Sequence, residues 1–260
     1  MLTHASNLYR TRNLLRSWTG RNIRARYQQS TLGWLWAVLQ PAAQVLIISL
    51  IFTFFVPIDT GEIPYPVFSY VAVVPWTLLA ASLPDMTDSL VANMGLVTKI
   101  YFPREVLPIA AMLARLMDFG IAAGLLILLI IIFRVPIYVG GWLYLPVILV
   151  IQLMLITGLG LACAALNVFY RDVRSFLVLG LQLWFYASPI IYPVTMVPEQ
   201  LRALYFLNPM AGVIEGYRAV ILYSKLPGNY LLLSAVVSFV IFIVGYWLFK
   251  RVEFQFADIV

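Results

Sequence analysis

The side chains able to perform acid–base, nucleophilic or metal chemistry are few. There is one histidine, His4, near the N-terminus, and one cysteine, Cys163, inside an apolar run. A single cysteine builds neither a disulfide framework nor a thiolate metal site. A lone histidine at the chain's start leaves no histidine base for the apolar body of the chain. The strings G-x-x-x-x-G-K-S/T, G-x-S-x-G and H-E-x-x-H do not occur. The chain therefore carries no P-loop for ATP, no nucleophile elbow and no zincin pair. Asp85 and Asp88 are close enough to cooperate, but their place at the end of an apolar run reads as solvated helix-end charge. What remains is recognition chemistry. Arg115 and Asp118, and again Glu215 and Arg218, are three apart and share a helical face. Trp36, Gln40 and Gln44 recur at helical spacing, and Gln182, Trp184, Phe185, Tyr186 and Tyr192 form a second group. Amides bond hydroxyl groups and flat rings stack on apolar faces. Taken singly, each ring is equally a belt or packing residue.

The elements that must position these groups are membrane helices. Hydrophobic residues make up 63% of the 260 and charged residues 11%, against roughly 45–50% and ~25% in a soluble domain. Charge-free runs place spans at roughly 32–56, 66–84, 142–166, 175–193 and 229–249; a further span at roughly 106–133 carries Arg115 and Asp118. Each supplies about the 20 residues that cross ~30 Å of hydrocarbon. Arg115 and Asp118 either pair in a protein-lined setting or reach water near the helix end. The expected fold is an all-α polytopic membrane protein of six transmembrane helices.

Six spans put both termini on one side. The N-terminus, Ala92–Arg104, Val168–Arg174 and the tail from Lys250 hold twelve of the seventeen Lys and Arg; the other three loops hold Arg134, Arg202, Arg218 and Lys225. That bias assigns both termini to the cytoplasm. Asp59 and Glu62, with no base, fit the first outer loop. Six Arg lie between Arg10 and Arg26 without an acid. Beside a first span they read as a cytoplasmic anchor rather than a nucleic-acid surface. Over Ala5–Thr19, Leu8, Leu14, Leu15 and Trp18 share an arc that excludes Arg10, Arg12 and Arg16, which suits an interfacial helix lying along membrane lipids; Gly20 is expected to end it. The basic region is too long for a signal peptide, so the first span is expected to be retained. The organisation is then a cytoplasmic segment 1–31, a six-span domain 32–249 and a cytoplasmic tail 250–260. Between spans 5 and 6, Ala203–Ile214 is apolar but too short to cross, and Pro189, Pro193, Pro198 and Pro209 interrupt the region. Short re-entrant helices are expected there.

Five strings carry a resemblance. They are R-A-R-Y-Q-Q-S-T-L-G-W-L-W-A-V-L-Q-P from Arg24, L-V-T-K-I-Y-F-P-R-E-V-L-P from Leu96, N-V-F-Y-R-D-V-R from Asn167, Y-A-S-P-I-I-Y-P from Tyr186 and L-N-P-M-A-G-V-I-E-G-Y-R from Leu207. In this order, at the ends of six spans, they make the chain resemble the membrane subunit of type 2 ABC exporters for polysaccharide: O-antigen, capsule and teichoic-acid exporters. The resemblance implies a homodimer in the cytoplasmic (inner) membrane, working with two copies of a separate ABC ATPase. ATP and Mg would be held by that ATPase, with no cofactor on this chain. It implies a lipid-linked glycan as cargo. A type 2 permease for a small cargo, a drug or haem, is the alternative. A membrane-embedded lipid enzyme lacks a catalytic set.

The resemblance also distributes roles. A coupling helix for the ATPase falls on the loop with Leu96, Lys99, Ile100, Tyr101, Phe102 and Arg104, which otherwise reads as a plain connection with snorkelling bases. Arg171 and Asp172 match an R-D motif, which anchors the helix start or touches the ATPase; Asp172 could cap the helix of span 5. The channel lining falls on Trp36, Gln40, Gln44, Gln182, Phe185, Tyr186 and Tyr192, whose amides and rings suit pyranose hydroxyls and C–H faces. The re-entrant region, with Tyr205, Phe206, Glu215, Tyr217 and Arg218, is expected to form an outer gate or a cap that holds the dimer.

Overall fold

The computed structural model describes residues 12–28, 30–55, 57–61, 63–100, 102–137 and 139–257. Leu8, Arg10, Glu62 and Tyr101 lie outside the described residues, and so does the expected start of the N-terminal helix at Ala5. Among the described residues the structure is helical and without strands. The helices are α1 (Arg12–Tyr27), α2 (Trp36–Leu50), α3 (Tyr65–Ser89), α4 (Met94–Val97), α5 (Val106–Ile132), α6 (Val139–Trp142), α7 (Leu145–Phe169), α8 (Val173–Tyr186), α9 (Glu199–Tyr205), α10 (Pro209–Ile221) and α11 (Tyr230–Val252). A 3₁₀ turn, Gly33–Leu35, leads into α2, and a π turn, Ile51–Phe55, prolongs it.

Five of these segments are long and apolar enough to cross a bilayer: Gly33–Phe55, Tyr65–Ser89, Val106–Ile132, Val139–Phe169 and Tyr230–Phe256. The fifth expected span, 175–193, is found as an apolar helix shorter than its charge-free length. Its helix α8 has 14 residues, about 21 Å at ~1.5 Å per residue, short of the hydrocarbon thickness. The cause is Pro189, which lacks an N–H and disfavours helix at Ser188; the chain turns after Tyr186 instead. The N-terminal helix is corrected in the other direction. Gly20 does not stop α1, which runs on to Tyr27. One glycine inside a helix costs only ~1 kcal/mol, and α1 regains that by packing along α5.

Helix α3 forms the interior of the fold, most of its residues being buried. Helices α2, α5, α7, α8 and α10 all pack on it. Helix α11 packs on α7 through paired glycines. A Cβ on Gly158 would stand 2.6 Å from the Phe242 backbone, and one on Gly245 would collide with the Gly158 carbonyl. Lipid gives no hydrophobic drive between helices, so such backbone approach supplies the packing contact. A second core gathers Trp18 of α1, Leu90, Val97 and Leu107 of the α3–α5 connection, Leu161 to Phe169 of α7, and Phe249 and Phe256. That core places α1 and the end of α11 at the same end of the molecule.

Candidate functional site

Four charges from three helices meet where α1 crosses α3 and α5. Arg26 places Nη2 at 2.8 Å from Asp85 Oδ2 and Nη1 at 2.7 Å from Asp118 Oδ2. Arg115 donates from Nε to Asp85 Oδ2 at 2.7 Å, from Nη2 to Asp85 Oδ1 at 3.2 Å and from Nη1 to Asp118 Oδ2 at 3.3 Å. The Tyr27 hydroxyl donates to the remaining Asp118 oxygen. Burial first, and Asp118 second, push the Tyr27 phenol above the ordinary tyrosine range. The side chains keep only 16–31% exposure. Two cations face two anions, so the cluster is neutral, which is how charges persist at the edge of a membrane span. Arg115 and Asp118 thus take the protein-lined arrangement. The solvated reading of Asp85 is corrected. Asp85 is the hub of this cluster, because α1 extends far enough to deliver Arg26. Asp88 is 3.3 Å from Arg174 Nε at the start of α8.

The Ala92–Arg104 connection is a folded protrusion at the same end. Val97 is 2% exposed and anchors it in the second core, against which Phe102 also packs. Backbone N–H groups of Thr98, Lys99 and Ile100 return to Met94 and Leu96 carbonyls at 3.0–3.2 Å and close the tip. Leu96 is half-buried, while Lys99 and Ile100 stand out from the tip. Arg104 turns inward: it donates to the Glu253 carbonyl, and its guanidinium lies 5.7 Å from the Phe256 ring. Beside it the buried Glu105 accepts from Lys250 Nζ at 2.8 Å, and Lys250 also meets Glu253 at 2.9 Å. Arg171 and Asp172 are exposed. Asp172 occupies the N-cap position of α8 but makes no side-chain cap bond, its backbone already being helical at φ −70°, ψ −17°. Its expected capping role is corrected accordingly.

The amide and aromatic groups lie on two separated helices. Helix α2 packs on α3 and α5, and α8 packs on α3 and α7. Trp36, Gln40, Gln182 and Tyr186 are exposed, and Gln44 is half-buried. Phe185 faces inward, 5.7 Å from the Trp76 ring of α3. Leu181 is the one buried residue of α8.

The region between spans 5 and 6 is the short pair α9 and α10. Asn208 accepts from the Met210 N–H at 3.0 Å and from Trp184 Nε1 at 2.8 Å, and so pins the start of α10 to α8. Arg218 is fully buried. It reaches Glu215 Oε1 at 3.0 Å and the carbonyls of Ile190 at 3.0 Å and Tyr192 at 3.4 Å, and lies 3.7 Å above the Phe68 ring. Tyr217 is buried and donates to Gln152 Oε1 at 3.3 Å, while Gln152 Nε2 donates to the Pro75 carbonyl at 2.7 Å. Phe206 is buried and stacks on Tyr230 at 3.8 Å. Tyr205 is half-exposed, its hydroxyl 3.1 Å from that of Tyr192. Of the three rings expected at a gate, two are held within this chain's own packing.

Sequence reasoning passed over Arg26, Tyr27, Glu105, Gln152 and Asn208. Asn208 had a signal, since Asn followed by Pro is an N-cap with proline at the first helical position. Gln152 had a weaker one, a lone amide in an apolar span. The partners of Arg26 lie more than fifty residues away and had none.

An ABC-2 type transporter family model matches residues 13–222. The chain is 32% identical over 267 residues to an O-antigen export system permease protein of Myxococcus xanthus, covering 99% of each. It is 28% identical to the O-antigen export system permease protein of Klebsiella pneumoniae over 93% of this chain and 92% of that one. It is 27% identical to a polysialic acid transport protein of Escherichia coli over 78% of each. With four-fifths of its length matched by the family model and end-to-end relatives, this polytopic membrane protein belongs to the ABC-2 type transporter family.

Proposed function

We propose that this chain is the transmembrane subunit of an ABC exporter that moves a lipid-linked polysaccharide, of O-antigen type, across the cytoplasmic membrane. The observation that carries the reading is end-to-end similarity to permeases named for O-antigen export. Two copies of the chain work with two copies of an ATPase, which binds ATP and Mg and drives the motion. The Lys99–Ile100 tip docks in the ATPase, and Arg104 with Glu105 holds the base of the protrusion rigid so that motion reaches α3 and α5. The pore is bordered by α2 of one copy and α8 of the other. The exposed amides and rings on helices that flank α3 support this, since one chain alone leaves them open. Phe206 and Tyr217 brace the outer cap, and Tyr205 with Tyr192 narrows the exit. Both termini face the cytoplasm, and α1 lies on its membrane surface.

The test is complementation. The chain and its ATPase are expressed in a host deleted for its own O-antigen permease, and surface glycan is probed on intact cells. Restored surface glycan that depends on ATPase activity is expected. Failure to restore it, together with ATP-dependent efflux of a small dye, would replace the polysaccharide reading by the small-cargo one.

A further inference from the structure

At the end of the fold opposite the coupling protrusion lies an open cavity of about 530 Å³, bordered by the 59–61 turn, residues 193–195, α10 and the start of α11. Its size falls in the ~300–1,000 Å³ range of small-molecule sites. Glu215 borders it with one carboxylate oxygen fixed at 3.0 Å by the buried Arg218. The Glu215 side chain keeps 27% exposure, so its second oxygen is left to accept from a ligand. Asp59, Arg202 and Lys225 also border the cavity. With Arg218 on Glu215 and Glu199 at 3.5 Å from Arg202, three acids face three bases and the surroundings are near neutral, so a charged ligand gains no net attraction. A ligand rich in hydroxyls finds fixed acceptors and donors at once. Tyr223 and Tyr230 add rings to the wall, and Tyr230 is held in place by its stack on Phe206. Carboxylates for hydroxyl pairs and rings for C–H faces are the groups that recognise a pyranose.

We propose that this cavity is a subsite for uncharged pyranose units of the exported glycan, a place where the chain rests after passing the membrane. The proposal rests on the polysaccharide reading above and adds a location and a chemistry to it.

The test uses the complete transporter with its ATPase in cells that assemble the glycan. The photo-crosslinker p-benzoylphenylalanine is placed at position 223, at position 36 on α2, and at position 236, whose valine is exposed on α11. Illumination at 223 is expected to join the permease to a ladder of glycan lengths, and at 236 to lipid alone. The blocking variant is Gly228→Trp, since nothing lies within 4 Å of a Cβ built there and the residue lines the cavity. It should cut the 223 adduct about tenfold, a change equivalent to ~1.4 kcal/mol of binding, at an unchanged amount of protein in the membrane. Glycan adducts at 36 with none at 223 would overturn the subsite and leave the exporter reading standing. An adduct at 223 that survives Gly228→Trp would overturn the cavity as its cause. A single small glycolipid mass at 223 would overturn the assignment to the exported chain. Absence of glycan at both 36 and 223 would overturn both readings.

Discussion

Asp85→Ala tests the joint that ties α1 to α3 and α5. The substitution removes three of the five hydrogen bonds between the two guanidiniums and the two carboxylates. Arg26 and Arg115 are then left to share Asp118 with one excess positive charge. For an exposed pair the loss would be ~0.2–1 kcal/mol; for a fully buried pair with one partner removed it would be ~3–5 kcal/mol. These side chains keep 16–31% exposure, and water screens part of the interaction, so we place the cost at about 2 kcal/mol. Asp85→Asn keeps the shape and an acceptor, and should cost about half as much. The measurement is the unfolding free energy of the purified protein in lipid nanodiscs, by steric trapping. Asp88→Ala is the internal control, since its partner Arg174 is 62% exposed and the pair should be worth under ~1 kcal/mol. A double-mutant cycle of Asp85→Ala with Arg115→Ala should show coupling of about 1 kcal/mol or more, beyond the ~0.5 kcal/mol within which independent sites add. Additive effects, or an Asp85→Ala cost no larger than that of Asp88→Ala, would refute the reasoning.

Four shorter predictions concern the protrusion, its clamp to the tail, the topology and Tyr27. Lys99→Glu with Ile100→Asp should abolish glycan export while the permease still reaches the membrane, because both side chains stand out from the protrusion; undiminished export would remove this tip as the coupling contact. Arg104→Ala, by contrast, should lower thermal stability by about 1 kcal/mol through its lost bond to the tail, and an unchanged melting curve would argue against the clamp. In a Cys163→Ala background, cysteine at Thr60 should label from outside intact cells and cysteine at Lys99 should not; the opposite pattern would invert the topology. The Tyr27 phenol is raised in the folded protein, so its contribution is fully present below the ordinary tyrosine pKa of roughly 10 and is lost as pH rises through the folded value. Stability should therefore fall in strongly alkaline buffer. Tyr27→Phe should flatten that fall, and a slope identical to the parent's would show that Tyr27 is not the group responsible.

The spans were legible because hydropathy is a property of a run. Five of them match helices of the structure to within a few residues. The helix of span 5 is shorter than its charge-free run because Pro189 acts as a local backbone constraint and not through polarity. Gly20 shows the opposite case: its intrinsic cost is small, and the contacts that outweigh it are tertiary. The same distinction governs the charges. Arg115 and Asp118 were legible as a pair because three residues of helix bring them together. Their joining to Asp85, Arg26 and Tyr27 depends on how α1 crosses two other helices, and no local pattern records a crossing.

The amide and aromatic residues pose the next question, why apolar helices would keep them on faces exposed in the single chain. An amide in hydrocarbon is costly without a partner, and Gln40 and Gln182 are both exposed in the single chain. Within the chain the polar groups of the apolar interior find partners where they can: Gln152 bonds Pro75 and Tyr217, and Asn167 bonds the Thr87 carbonyl at 3.1 Å. Among the described residues, Gln40 and Gln182 make no such bonds. They sit on α2 and α8, helices with few residues buried in this chain. The arrangement becomes consistent if those faces meet water, a hydroxyl-bearing cargo or a second copy rather than lipid. A pore formed between α2 of one copy and α8 of the other satisfies the amides and the exposed rings together, and it needs no further residue than those already in place.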